Sequence, residues 1–182
     1  AVGDDELGAR VAPALADYGV EVHAAVRAEP QRRGFTYLDA TGEVIEGLSL
    51  TGHRAVGVPG TVAGLWEAHQ RYGKLPWREV IEPAVQLAQR GFQVPPLLAE
   101  RATAEQPRFA DTNFAQYFGG LRSGASFRQL ELAATLQRIQ DSGPGGFYEG
   151  ETADLIVREM QRGGGLITPQ DLRKYRAVWR EP

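Results

Sequence analysis

The sequence predicts an α+β chain that is mainly helical. Apolar residues recur at helical spacing from about 61 to 160, whereas strand-like alternation is confined to short stretches near the N-terminus. Gly and Pro separate the successive helical stretches. Of the 182 residues, 42% are hydrophobic and 24% are charged, which is ordinary for one globular domain.

Composition narrows the function classes. The net charge of −3 argues against a nucleic-acid-binding protein, because such domains are usually basic. No run of about 18 apolar residues is present, so no membrane span is expected. No positively charged start precedes an apolar core, so no signal peptide is expected within this sequence. The lack of cysteine excludes disulfides, thiol catalysis and cysteine-ligated metal in the chain.

Residues 1–36 are predicted to be a separate N-terminal segment, a short helix followed by a strand. The acidic residues 4–6 lie near the expected helix start, where the helix dipole favours negative charge. Apolar residues alternate from Val20 to Val26, as in a strand. Residues 35–45 then predict a hairpin whose turn lies at 40–42, with Gly42 at positive φ.

Two amphipathic helices are predicted next. The first begins near Thr61 and ends at Gly73. The second begins after Pro76 and ends at Gly91, and Pro83 inside it predicts a kink or two abutting short helices. The first helix presents an apolar face formed by Val62, Leu65 and Trp66, with His69 on the same face. The apolar stripe of the second helix consists of Trp77, Val80, Ile81, Ala84, Leu87 and Ala88.

Further helices are predicted over 97–104, over 127–142 and around 153–160. Residues 105–126 are predicted to be a loop or short helix packed through its aromatic side chains. Thr168 is expected to cap a last helix that starts at Pro169. The predicted core joins apolar residues from three helices: Val62, Leu65, Trp66, Val80, Ile81, Leu87, Ile156, Val157 and Met160.

An ordered series of motifs over 37–182 resembles the large subunit of the γ-glutamyltransferase (γ-glutamyl transpeptidase) family. The motifs are AVGVPGTVAGL at 55–65, HxxYGKLPW at 69–77, IxPAVxLAxxGF at 81–92, LELAATLQRI at 130–139, GFYEG at 146–150, ADLIV at 153–157 and ITPQDLRKY at 167–175. The resemblance implies an N-terminal-nucleophile hydrolase with an αββα sandwich. This chain would hold its helical lobe, and the central sheets would mostly be missing from it.

The resemblance also implies the reaction and the partner. A precursor of this family cleaves itself, and the new N-terminal Thr of the small subunit attacks the substrate with its own α-amine as base. The γ-glutamyl group of glutathione or a similar amide then passes to water or an amino acid. No Thr of this chain matches the processing site, so the chain alone is predicted to be inactive, without catalytic residue, metal or cofactor. The expected partner is the small subunit of the same precursor, and the family suggests a periplasmic or secreted location.

Arg27 is the candidate substrate-binding residue. The family's large subunit contributes an Arg that clamps the substrate α-carboxylate, a geometry suited to the planar guanidinium. The nearest match here is Arg27 to Pro30, although its spacing from the hairpin is one residue short. In a rival alignment, residues 9–23, which end in VEVH, match the family's earlier small-residue helix and the VEPH stretch after it. The Gly-rich turn and strand that normally follow would then be lost, and Arg27 would be a surface residue. Both alignments remain open.

Other chemistry-bearing residues favour structural roles. His23, His53 and His69 share no metal-ligand spacing, and His69 is expected to be a hydrogen-bonded packing residue. The glycine-rich stretch 57–60 enters a helix, as anion sites do, but tight packing explains it better. Two alternatives to the transpeptidase function remain: a related acylase, such as a cephalosporin acylase-like or polyglutamate-processing enzyme, or a catalytically inert helical module that binds a partner.

Overall fold

The computed structural model describes residues 37, 39–110 and 112–180. The predicted helix and strand of 1–36, with Arg27 and His23, lie outside the described residues. Two compact units are distinguished, one formed by 1–49 with 179–182 and the other by 50–178. Every helix described below belongs to the second unit.

The described part of the first unit contains the predicted turn. The backbone N–H of Asp39 donates to the carbonyl of Glu43 at 2.9 Å, and the N–H of Ile45 donates to the carbonyl of Tyr37 at 2.8 Å. Gly42 has φ 87°, as predicted for the turn. The hydroxyl of Thr41 donates to the Asp39 carboxylate, and these local hydrogen bonds lower the pKa of Asp39.

The second unit is mainly helical, which confirms the predicted class. Its helices are α1 (Thr61–Tyr72), α2 (Trp77–Arg90), α3 (Pro96–Glu105), α4 (Phe114–Phe118), α5 (Leu130–Ser142), α6 (Gly145–Tyr148), α7 (Gly150–Gly163) and α8 (Pro169–Lys174). Short 3-10 turns occupy His53–Ala55 and Gln106–Phe109. A small antiparallel sheet pairs β1 (Phe92–Gln93) with β2 (Ser126–Phe127), with Phe92 opposite Phe127.

Local sequence signals set most helix ends. Gly91 ends α2 at φ 83°, and Gly164 ends α7 in the left-handed conformation. The side chains of Thr168 and Asp171 form a reciprocal capping box at the start of α8, as predicted. The alternative of two short helices around Pro83 is wrong, because α2 is continuous from Trp77 to Arg90.

The core of the second unit joins α1, α6, α7 and α8. Val157 and Met160 are buried in it, as predicted, and Val62 and Ile156 pack against it. The sequence did not identify Tyr148 or Leu172 as core residues, although Leu172 is fully buried. The complete set of buried core residues is Ala63, Tyr148, Ala153, Val157, Met160, Ile167 and Leu172.

Three large residues of the predicted core are instead exposed. Leu65, Val80 and Leu87 retain 59%, 50% and 55% of their accessible surface. The buried residues of α2 are Ala88, which lies on the predicted stripe, and Val85, which does not. Val85 is the most deeply buried residue of α2 whereas the small Ala84 is exposed, so residue size does not decide which face is buried.

The sequence does not predict α6, because the Gly-Pro-Gly-Gly run at 143–146 is typical of a helix end. Gly143 does end α5, but the chain turns directly into α6 from Pro144. A Cβ at Gly146 would lie 2.0 Å from the carbonyl oxygen of Arg138 on α5. This contact requires glycine at 146, so the residue serves close helix contact rather than helix termination.

Candidate functional site

The glycine-rich loop that enters α1 is held by two tyrosines. The Tyr148 hydroxyl donates to the carbonyl of Pro59 at 2.6 Å and accepts from the backbone N–H of Ala63 at 3.2 Å. Tyr175 stacks on Tyr148 with ring centroids 5.6 Å apart. A Cβ at Gly60 would lie 2.2 Å from the Tyr175 hydroxyl, so a larger residue there would displace Tyr175.

This arrangement gives the loop a packing role. The N–H of Ala63 is one of the donors that an anion at the start of α1 would use, and Tyr148 already accepts from it. Burial raises the pKa of Tyr148, which keeps the phenol protonated and able to donate to Pro59. The expectation that 57–60 packs tightly rather than binding an anion is therefore supported.

His69 lies in an aromatic cluster between α1 and α2. Its Nε2 is 2.8 Å from the carbonyl oxygen of Leu75, so Nε2 carries the proton. The His69 ring meets Trp77 edge-on at 5.1 Å, and Trp66 meets Trp77 edge-on at 5.0 Å. Trp77 Nε1 donates to the carbonyl of Ile139 on α5 at 2.9 Å. The prediction of a hydrogen-bonded packing histidine is confirmed.

His53 forms the one described contact that looks like an acid–base pair. Its Nε2 lies 2.7 Å from Glu159 Oε1 on α7. Arg162 also donates to the Glu159 carboxylate, at 2.8 and 2.5 Å. Hydrogen bonds from Arg162 and His53 lower the pKa of Glu159 to about 2.

The surroundings of His53 indicate a structural clasp. The Glu159 carboxylate accepts from two cationic or potentially cationic groups, so it stays ionised and is a weak base. The His53 ring lies directly over Gly163, where a Cβ would be 2.1 Å from Nδ1. Arg54 beside it donates to the carbonyl of Gly164 at 3.2 Å. These contacts hold the 3-10 turn against the end of α7.

A polar network fixes α2 against α5. The Gln140 side chain, only 4% exposed, donates to the carbonyl of Arg78 at 2.9 Å and to Glu82 Oε2 at 2.7 Å. Hydrogen bonds from Gln140 and Gln86 lower the pKa of Glu82. Arg78 also pairs with Asp141. The buried position of Gln140 could not be predicted from the sequence, because polar residues in helices are mostly exposed to solvent.

An apolar groove of about 470 Å³ lies between α2, the small sheet and α5. Leu87 and Leu132 line it and are 55% and 43% exposed. Arg128 is the only charged side chain among its lining residues. The full lining is Ala84, Leu87, Ala88, Phe92, Phe127, Arg128, Gln129, Leu132 and Leu136.

The described residues contain no catalytic centre that geometry alone identifies. Within 37, 39–110 and 112–180, no group of three or more His, Asp or Glu side chains is placed to hold a metal ion. In the same part of the chain, no helix is long and apolar enough to cross a membrane. The predicted substrate-binding residue, Arg27, lies outside the described residues.

Comparisons with known proteins identify the family. The family model described as gamma-glutamyltranspeptidase matches residues 21–182. A glutathione hydrolase proenzyme of Pseudomonas aeruginosa is 55% identical over 147 residues, which are 80% of this chain and 26% of that protein. This chain therefore spans about a quarter of the length of that relative.

Solved structures agree with the sequence comparison. A gamma-glutamyltranspeptidase from Pseudomonas nitroreducens, complexed with L-DON, matches 86% of this chain and 46% of its own at a TM-score of 0.75 and 51% identity. A cephalosporin acylase from Bacillus halodurans matches 72% of this chain and 27% of its own at a TM-score of 0.62 and 31% identity. By sequence and by fold, this chain belongs to the gamma-glutamyltranspeptidase family.

Proposed function

We propose that this chain is the helical part of the large subunit of an enzyme that cleaves γ-glutamyl amides of the glutathione class. The enzyme transfers the γ-glutamyl group to water or to an amino acid. The observation that carries the proposal is the 55% identity to a glutathione hydrolase proenzyme. In this proposal the chain belongs to an N-terminal-nucleophile hydrolase of αββα type, whose central sheets lie mostly outside the 182 residues.

The lengths of the matched proteins favour the large-subunit assignment. The chain covers 26% of the Pseudomonas aeruginosa proenzyme but 46% of the matched chain in the Pseudomonas nitroreducens structure. The matched chain is thus much shorter than the proenzyme. This difference is expected if maturation divides the precursor and the match falls within one of the two products.

The described threonines favour a nucleophile outside this chain. A Thr nucleophile needs an adjacent base, which the family supplies as the α-amine of the same residue. The threonine hydroxyls below instead donate to carbonyl or carboxylate oxygens within six residues of them, as in turns and helix caps. They belong to Thr41, Thr103, Thr112, Thr135, Thr152 and Thr168. We therefore expect the chain alone to be inactive.

Arg27 is our candidate for the α-carboxylate clamp. Lysine keeps the charge but lacks the planar fork that binds a carboxylate through two hydrogen bonds. In the complete enzyme, we expect Arg27→Lys to raise KM for a γ-glutamyl substrate more than it lowers kcat. Arg158→Lys, on the exposed face of α7, is the control. Equal KM values for the two variants would assign Arg27 to the surface.

The decisive experiment is the intact mass of the uninterrupted gene product, fresh and after incubation. We expect one mass to divide into two, and the second chain to begin with Thr. Replacing that Thr with Ala should abolish both the division and the hydrolysis of a γ-glutamyl anilide. A single stable mass would favour the catalytically inert binding module.

A cephalosporin acylase-like activity is the second candidate, favoured by the similarity to the Bacillus halodurans structure. Polyglutamate processing is a further acylase variant of the same chemistry. Processing does not separate these functions from glutathione hydrolysis, because they share the nucleophile. The ratio of kcat/KM for glutathione to kcat/KM for a cephalosporin or a polyglutamate decides among them.

A further inference from the structure

The groove between α2 and α5 is a surface that the described chain leaves uncovered. Leu87 of α2 and Leu132 of α5 both line it and are about half exposed. Phe92 and Phe127 stand beside them, with ring centroids 6.0 Å apart. Contiguous exposed apolar surface of this kind often marks an interaction site.

The groove is shaped to accept a further segment of protein. The small residue Ala84 on α2 lets a neighbouring backbone approach closely, whereas Ala88, one turn further on, is already buried. Leu132 and Leu136 repeat the same spacing on α5. Two helices that line a cleft in this way can hold an amphipathic segment through its apolar face.

Arg128 indicates which chemistry an occupant of the groove would carry. Its side chain lines the groove, and it makes no ion pair with any residue in the described part of the chain. A segment that covered this guanidinium without a partner would bury a charge at considerable cost. An occupant that covered Arg128 would therefore be expected to bring a carboxylate to it, which the guanidinium can bind through two hydrogen bonds.

We propose that the groove binds an apolar segment of the same precursor, from outside these 182 residues, which carries an Asp or Glu that pairs with Arg128. The length comparison points to this occupant, because about three quarters of the Pseudomonas aeruginosa relative lies outside the match. The proposal rests on the proposed function in one respect: both need a longer precursor.

Thiol labelling of the uninterrupted gene product tests the docking. This chain has no cysteine, so Leu87→Cys and Leu132→Cys each add a single new thiol to it, and labelling of the parent protein supplies the background. Leu166→Cys is the control, because Leu166 is as exposed as Leu87 and lies outside the groove. We expect both groove thiols to react at least about tenfold more slowly than the control thiol, because a covered thiol must await local opening. Equal rates would overturn the proposal.

A charge reversal tests the carboxylate. We expect Arg128→Glu to restore fast labelling of Leu132→Cys, whereas Arg122→Glu, an exposed change outside the groove, should not. Unchanged protection in Arg128→Glu would show that no acidic partner is present. Protection that disappears on dilution, together with a doubled mass in light scattering, would assign the groove to a second copy and overturn the proposal.

Labelling and self-cleavage are independent measurements. If the groove thiols are protected but the product never divides, the docking proposal is supported and the proposed function is refuted. If the groove thiols react freely but the product divides and hydrolyses the anilide, the docking proposal is refuted and the proposed function is supported.

Discussion

The backbone N–H of Ala63 donates a 3.2 Å hydrogen bond to the phenolic oxygen of Tyr148, 85 residues further along the chain. The same oxygen donates its own proton to the carbonyl of Pro59. No side chain caps the start of α1 locally, since its first flanking residue is Gly60. Tyr148 therefore supplies from α6 the cap that other helices obtain from a neighbouring Ser, Thr or Asp.

Removing the Tyr148 hydroxyl should destabilise the fold. Tyr148→Phe keeps the ring stacked on Tyr175 but leaves the N–H of Ala63 and the carbonyl of Pro59 without their partner. We expect the free energy of unfolding to fall by about 1–3 kcal/mol, the cost of unpaired buried polar groups. Chemical denaturation measures it, and Tyr117→Phe on the exposed face of α4 is the control. Equal midpoints for the two variants would contradict the capping role.

A methyl group at Gly60 should collide with Tyr175. The added Cβ would lie 2.2 Å from the hydroxyl and 3.0 Å from the ring carbon that bears it. We expect Gly60→Ala to lower the free energy of unfolding by about 1–3 kcal/mol, as overpacking does. Adding Tyr175→Phe should restore part of that loss. Gly57→Ala, where the new Cβ meets nothing within 4 Å, should be close to neutral. Strict additivity of the double variant would refute the collision.

Gly143→Ala should be more costly than the same change at Gly124. Both glycines have positive φ, 56° and 74°, so both substitutions strain the backbone. Only at Gly143 would the Cβ also meet the Trp66 ring, at 2.9 Å, whereas nothing lies within 4 Å at Gly124. The contact with Trp66 is therefore an additional cost at Gly143 that Gly124 does not have. We expect Gly143→Ala to have the lower thermal midpoint, because each ~1 kcal/mol lost from the free energy of unfolding lowers the midpoint by a few degrees.

The Glu159 clasp should weaken in acid. Hydrogen bonds lower the pKa of Glu159 in the folded protein from 4.5 to about 2. Its stabilisation is therefore fully present above the unfolded pKa and is lost as the pH falls through this window. We expect the thermal midpoint of Glu159→Gln to lie below that of the wild type near neutral pH, and the gap to close between about pH 4.5 and pH 2. Glu67→Gln, on the exposed side of α1, should show no such gap. A gap that is constant with pH would rule out the ionised clasp.

Helix ends were predictable from the sequence because their signals are local. Gly73, Gly91 and Thr168 act on the turn to which they belong, so reading a few neighbours suffices. The buried face of α2 was predictable only in part, because Ala88 lies on the predicted apolar stripe and Val85 does not. Val85 and Ala88 are buried there while the larger Leu87 stays exposed, and that choice is made by α5 across the interface.

The candidate site shows the same division. His69 could be identified as a packing residue, because it recurs on the apolar face of its own helix. The long-range partners of Tyr148, Gln140 and Glu159 come from segments 58 to 106 residues away, so no local pattern reveals them, whereas the Arg162–Glu159 pair at i, i+3 is local. The sequence motifs indicated the family, whereas the reasons for glycine at 60 and 146 came from contacts that the structure shows.

The distance along the chain between Ala63 and Tyr148 also sets an order of events during synthesis. The first turn of α1 leaves the ribosome well before the residue that caps it has been made, because translation adds only about 5–20 residues per second. For those several seconds the helix start has no partner for the N–H of Ala63 other than water. The hydrogen bonds between the motif at 55–65 and Tyr148 can therefore form only after GFYEG at 146–150 has been synthesised. A chain that ended between these two motifs would contain residues 55–65 but lack Tyr148, which caps α1.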